Sequence, residues 1–130
     1  MAAMRVLIVE DDAMIGILLA EMLGELGYNI CAVVATEDDA VADAARHSPG
    51  LMIVDENLRE GSGRSAVDRI LRTRAVPCVF ISGSLEHRPR AGEMSLRKPF
   101  TEADLVRAIV HVIGEAGVPV PGLVIVAAKS

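Results

Sequence analysis

The chain contains a small set of polar residues whose types suit phosphoryl chemistry, each at the end of an apolar run. Val6-Leu7-Ile8-Val9 closes on Glu10-Asp11-Asp12, and Leu51-Met52-Ile53-Val54 closes on Asp55. Two further strand-end signals follow: Ser82 after Cys78-Val79-Phe80-Ile81, and Lys98-Pro99 after Met94-Ser95-Leu96. Open α/β sheets bind ligands at the carboxyl ends of their strands, so these residues are expected at one edge. Glu10, Asp11 and Asp55 gathered there would raise one another's pKa, and the cluster therefore needs a cation. Mg²⁺ suits it, because that ion takes one or two carboxylates together with waters and phosphate oxygens. Asp55 can then act as a nucleophile and form an acyl phosphate, with Lys98 helping to neutralise the transferring group. The Ser82 hydroxyl can donate a hydrogen bond to a phosphoryl oxygen once the group is attached.

Strand-length apolar runs alternate with segments of helical period, which predicts βα units and a parallel sheet. Strands are expected near residues 5 to 9, 29 to 34, 51 to 55, 77 to 82 and 94 to 97. Ile15, Leu18, Leu19, Met22 and Leu26 recur at helical spacing, with Asp12 as a cap and Gly27 as a stop. Thr36 followed by Asp39 opens a second helix that ends before Pro49-Gly50. A third is expected over residues 63 to 74, with Ala66, Val67, Ile70 and Leu71 inward and Arg69, Arg72 and Arg74 solvated. The last helix starts at Thr101 and faces the core with Leu105, Ile109 and Val112. Gly83 to Glu93 has no apolar period and holds Pro89, so a full helix is not expected there.

With 130 residues and 52% hydrophobic content, the chain fits one domain. A net charge of −5 with no basic run gives nucleic-acid binding little electrostatic support. No run approaches the roughly 20 apolar residues of a membrane span. Cys31 and Cys78 read as small buried hydrophobes, and a reducing cytoplasm is the expected location. His47, His87 and His111 lack ligand spacing.

The ordered set resembles the receiver domain of bacterial two-component response regulators, over about Arg5 to Gly117. The resemblance is carried by Val9-Glu10-Asp11-Asp12, Ile53-Val54-Asp55, Asn57-Leu58 with Gly61-Ser62-Gly63, Ser82, and Lys98-Pro99-Phe100. It implies a doubly wound, flavodoxin-like five-stranded parallel sheet of order 2-1-3-4-5. It also implies that Glu10 and Asp11 serve Mg²⁺ with Asp55 and the backbone carbonyl of Asn57, and that Asp55 takes the phosphoryl group. The implied partners are a histidine kinase or phosphotransfer protein and a downstream protein target. By the same resemblance a kinase's phosphohistidine helices would dock on the outer face of the first helix, at Ile17, Ala20 and Gly24. No enzyme activity is expected beyond self-catalysed phosphoryl transfer and hydrolysis.

Two departures from the pattern stand out. The interval from Ser82 to Lys98 is short, so the fourth helix is expected to be truncated or replaced by a loop. In this the chain is similar to the receiver subgroup with a Phe-Ala-Thr-Gly-Tyr motif, partly echoed by Phe80-Ile81-Ser82-Gly83-Ser84. The aromatic switch residue is missing, with Ser95 at one expected position and Ser84 at the subgroup's Tyr. Residues 1–117 are expected to form the receiver domain and 118–130 a C-terminal extension, with no output domain. The apolar tail Leu123 to Ala128 is expected to cover an exposed strip, Val106, Val110 and Ile113, of its own last helix or of a second copy, giving a homodimer. Two alternatives remain open: an aspartyl-phosphate hydrolase of the haloacid dehalogenase type, whose second Asp would fall at Asn57, and a phosphorylation-independent interaction domain.

Overall fold

Strands that are apolar at every position need cover on both faces, and that requirement sets the architecture. The computed structural model describes residues 3–83 and 89–116. In chain order the elements are β1 (Arg5–Val9), α1 (Ala13–Glu25), β2 (Asn29–Val34), α2 (Glu37–His47), β3 (Leu51–Asp55), α3 (Gly63–Leu71), β4 (Cys78–Ser82), β5 (Glu93–Arg97) and α4 (Glu102–Ala116). The five strands are parallel in the order β2-β1-β3-β4-β5, as the sequence led us to expect. The apolar runs β1, β3 and β4 take the middle of the sheet, and the more mixed β2 and β5 take the edges. Alternation along each strand sends Ile8, Ile53 and Ile81 against α1 and α4, and Val9, Val54 and Phe80 against α2 and α3.

The helix ends follow the local chemistry. Asp12 Oδ1 accepts the N–H groups of Met14 and Ile15 at 3.0 and 3.2 Å, and Thr36 Oγ1 accepts that of Asp39 at 3.1 Å. At the start of α4, Thr101 and Asp104 each accept the other's N–H at 3.0 Å, a reciprocal cap that satisfies two donors. Gly27, with φ 99°, closes α1.

Packing redirected several side chains. Leu18 was expected in the core and is instead 53% exposed. The buried stripe of α1 is Gly16, Leu19 and Leu23, because Gly16 lets the helix approach β2 so closely that a Cβ there would lie 3.0 Å from Val33 Cγ1. Helix α3 stops at Leu71 rather than 74, and Leu71 is partly exposed, since the chain must turn before Val76 is buried and Pro77 leads into β4. Arg69 is not simply solvated: it pairs with Glu37 and Asp38. Ile113 was expected off the core face of the last helix and is fully buried, because α4 presents the wide stripe Leu105, Ala108, Ile109, Val112 and Ile113. Val106 and Val110 are half-buried. The tail proposed to cover them lies outside the described residues.

Among the described residues no helix stands between β4 and β5. From the first turn of α3, Arg64 covers this part of the sheet. Its guanidinium lies 4.2 Å from the Phe80 ring centroid and 2.9 Å from the buried Glu93 carboxylate. Arg90 extends the network, giving its backbone N–H to Glu93 Oε1 and its guanidinium to Asp68, both at 2.9 Å.

Gly63 seats α3 on the sheet end: a Cβ there would fall 2.1 Å from the Asp55 carbonyl oxygen. Backbone cannot yield as a flexible side chain can, so Gly63→Ala should lower stability by about 1 to 3 kcal/mol. A urea midpoint that falls at unchanged slope is the expected reading. A wild-type midpoint would show that α3 can withdraw without loss.

Candidate functional site

Register places the chemistry. Val9 pairs with Val54, Asp55 with Ile81, and Ser82 with Arg97, so the residues at or just past these strand ends form a row. Glu10, Asp55, Ser82 and Lys98 stand in that row. It lies where the chain leaves β1 for β2 on one side and returns to β3 on the other, the topological switch point of an open α/β sheet. Glu56 N–H donates to the Ile81 carbonyl at 2.9 Å and Lys98 N–H to the Ser82 carbonyl at 2.8 Å, extending the sheet by one step.

The structure brings the three carboxylates together: one oxygen each from Glu10, Asp11 and Asp55 lies within 4.8 Å of the others. Glu10 and Asp55 are buried and Asp11 is half-buried. Asp55 Oδ1 accepts the Asn57 N–H at 2.8 Å, and its Oδ2 accepts a hydrogen bond from Lys98 Nζ at 2.9 Å. The same ammonium lies 3.9 Å from Glu10 Oε1. Glu10 Oε2 accepts the Asp12 N–H at 3.1 Å, whereas its Oε1 is buried with no hydrogen-bond partner. A buried carboxylate oxygen without a donor is costly, and a divalent cation would satisfy it, so this donor set fits a hard, oxygen-liganded metal. Ser82 is buried at the adjoining strand end.

The charges perturb one another as such crowding requires. The Glu10 carboxyl is pushed up from the usual 4.5 to about 7. Burial is the main cause and Asp55 adds to it, against the Asp12 N–H and the Lys98 charge. For Lys98, burial works against the ammonium. The hydrogen bond to Asp55 and the field of Asp55, Glu10 and Asp11 outweigh it and raise the lysine pKa.

Two contributors escaped the sequence analysis. Arg59 donates its backbone N–H to Asp11 Oδ2 at 2.8 Å and places its guanidinium Nε 3.9 Å from the same atom. Glu37, at the start of α2, accepts from the end of the loop after Asp55 through Ser62 N–H at 3.0 Å and from the first turn of α3 through Ser65 Oγ at 2.7 Å. The small residues Gly61, Ser62 and Gly63 were the available signal that another element approaches this loop.

Fold and site together define a receiver. The model of the response regulator receiver domain family matches residues 6–110, and the chain belongs to that family, a module of two-component signalling. It is 40% identical over 111 residues to transcriptional regulatory protein PdtaR of Mycobacterium tuberculosis, a match covering 81% of this chain and 54% of that protein. Among solved structures it is similar to the PhyR receiver domain of Erythrobacter litoralis, with a TM-score of 0.78 and 30% identity over 87% of this chain and 92% of that one. The anti-anti-sigma factor PhyR of Bartonella quintana matches with a TM-score of 0.78 and 25% identity, over 90% of this chain and 50% of that one. The chain spans about half the length of PdtaR. No helix among the described residues is long and apolar enough to cross a membrane.

The raised Glu10 pKa has a stability sign. The folded chain keeps a proton there that the unfolded chain releases near 4.5, so stability is lost as pH rises from that value to about 7. Glu37 and Asp104, whose carboxyls are lowered, act below this window, and Lys98 acts above it. Metal-free protein should therefore melt lower at about pH 8 than at about pH 5, and Glu10→Gln should flatten the difference. A metal-free melting temperature that rises over this range in the wild type would contradict the burial of Glu10.

Proposed function

We propose that Asp55 accepts a phosphoryl group from a histidine kinase or phosphotransfer protein, and that the phosphorylated domain signals by binding a protein partner or by passing the group on. The observation that carries this reading is the Lys98 ammonium, 2.9 Å from Asp55, set among three carboxylates with one orphaned oxygen. Glu10, Asp11 and Asp55, with the carbonyl of Asn57, would hold Mg²⁺, which when bound neutralises charge on the transferring group. An Asp55 carboxylate oxygen forms the new bond to phosphorus as the bond from phosphorus to the donor nitrogen breaks. Lys98 stabilises the negative charge gathered on the phosphoryl oxygens, and the Ser82 hydroxyl donates a hydrogen bond to one of them. The hydrolase alternative gains no support: position 57 is Asn, and its N–H is engaged with Asp55.

For the output, the relatives' names, a transcriptional regulator and an anti-anti-sigma factor, suggest control of gene expression. The acidic surface of this chain favours a protein partner over direct contact with DNA. For the input, α1 offers an apolar face of Met14, Ile17 and Leu18, each more than half exposed. Of the spot expected there, Ile17 and Gly24 are exposed and Ala20 is half-buried against the core.

Incubation with acetyl phosphate and Mg²⁺ should add the mass of one phosphoryl group, and Asp55→Asn should abolish the gain. Labelling of that variant at a comparable rate, or full labelling of the wild type in EDTA, would refute the assignment. Ile17→Glu should slow transfer from the cognate phosphodonor protein by about tenfold or more and leave acetyl phosphate labelling unchanged. Equal slowing with both donors would mean that the substitution damages the fold rather than the docking face.

A further inference from the structure

The loop over residues 56–62 is held at two ends, and only one of them is at the site. On the site side, Asn57 N–H is bound to Asp55 and Arg59 N–H to Asp11, each at 2.8 Å. On the far side Gly63 N–H closes the loop on the Glu56 carbonyl at 3.0 Å and Ser62 Oγ caps α3 through the Ser65 N–H at 3.0 Å, and the remaining bonds converge on Glu37. Its backbone N–H donates to the Glu60 carbonyl at 3.2 Å, and its Oε1 accepts the Ser62 N–H at 3.0 Å. Its Oε2 accepts from Ser65 Oγ at 2.7 Å and from Arg69 Nη1 at 3.0 Å. Between those anchors, Gly61 presses on the glutamate stem: its φ is +82°, and a Cβ there would lie 2.4 Å from Glu37 Cβ. The Ser65 hydroxyl, the Ser62 N–H and Arg69 keep the Glu37 carboxyl below its usual pKa, so it is charged at neutral pH.

We propose that Glu37 is a positioning residue for the cation site, pinning the far end of the 56–62 loop so that Asn57 and Arg59 meet Asp55 and Asp11 in a geometry competent to bind the metal. This rests on the reading of the carboxylate cluster as a Mg²⁺ site. The physical content is a population. A loop that loses the carboxylate's hold between its closed ends samples other backbone conformations, and apparent affinity falls in proportion to the fraction that remains competent. Glu37 touches neither metal nor phosphoryl group, and acts only through the backbone it holds.

The rival is an ordinary ion pair docking α2 on α3 through Arg69, which also bonds Asp38 at 2.8 Å. Three variants separate the two. Glu37→Ala removes the carboxylate's hold on Ser62 and Ser65 and leaves the backbone bond to Glu60, Glu37→Gln keeps an oxygen for the Ser62 N–H, and Arg69→Ala removes the charge pairing while leaving the backbone anchored. Mg²⁺ affinity is measured for each by amide NMR titration at a temperature where melting curves show all of them folded. Glu37→Ala should weaken Mg²⁺ binding about tenfold, the scale of loss when supporting groups around a metal site are removed. Glu37→Gln and Arg69→Ala should stay within about twofold of wild type, even if Arg69→Ala melts lower, because in both an oxygen at position 37 still accepts the Ser62 N–H. Unchanged affinity in Glu37→Ala, or an equal loss in Arg69→Ala, overturns the inference and leaves the Mg²⁺ site standing. Wild type that binds no Mg²⁺ overturns the site and the inference together.

Discussion

Like charge held at close quarters is the constraint on which this molecule turns. Glu10, Asp11 and Asp55 reach within 4.8 Å of one another at the end of a buried sheet, where carboxylates repel and two of the three are buried. Lys98 relieves part of that repulsion by bonding Asp55 directly and facing Glu10 at longer range. The relief is incomplete, and the raised Glu10 pKa and the orphaned Oε1 are its two traces. A site left short of positive charge is one prepared for a cation, and the incomplete pairing fits the metal-dependent role proposed for it.

Such a cluster persists only because the backbone beneath it cannot relax. β1 and β3 are central strands, paired on both sides and buried along almost their whole length. Gly63 brings α3 against the Asp55 carbonyl so closely that no side chain fits between them. The cost of crowding the acids falls on packing elsewhere, with two apolar layers locking the strands from opposite faces.

Between β4 and β5, where no helix stands among the described residues, packing on the sheet falls to single side chains. An exposed Phe80 face and a buried Glu93 would each be unfavourable alone. Arg64 answers both at once, with its planar guanidinium stacked over the ring and bonded to the carboxylate. Ser95, where many receivers carry an aromatic residue, lies opposite Phe80 in the β4–β5 register, and its hydroxyl is buried without a hydrogen-bond partner.

Much of this was legible in the chain. Uninterrupted apolar runs specify strands buried on both faces, and the residue that closes each run must emerge at the carboxyl edge; hence Glu10, Asp55 and Ser82 could be named from the sequence, with Lys98-Pro99 after the mixed β5 beside them. Caps at Asp12, Thr36 and Thr101 were readable because they act within three residues of themselves. What only the tertiary structure decided depends on partners distant in sequence. Glu37 reaches loop residues some 25 positions away, Arg64 finds Glu93 across 29, and Gly16 turns α1 by its approach to Val33. Ile113 is buried, and Leu18 exposed, according to how a whole helix rolls on the sheet. Local periodicity defines an apolar face only to within a residue or two, and packing against the neighbouring layer settles which side chains fill it.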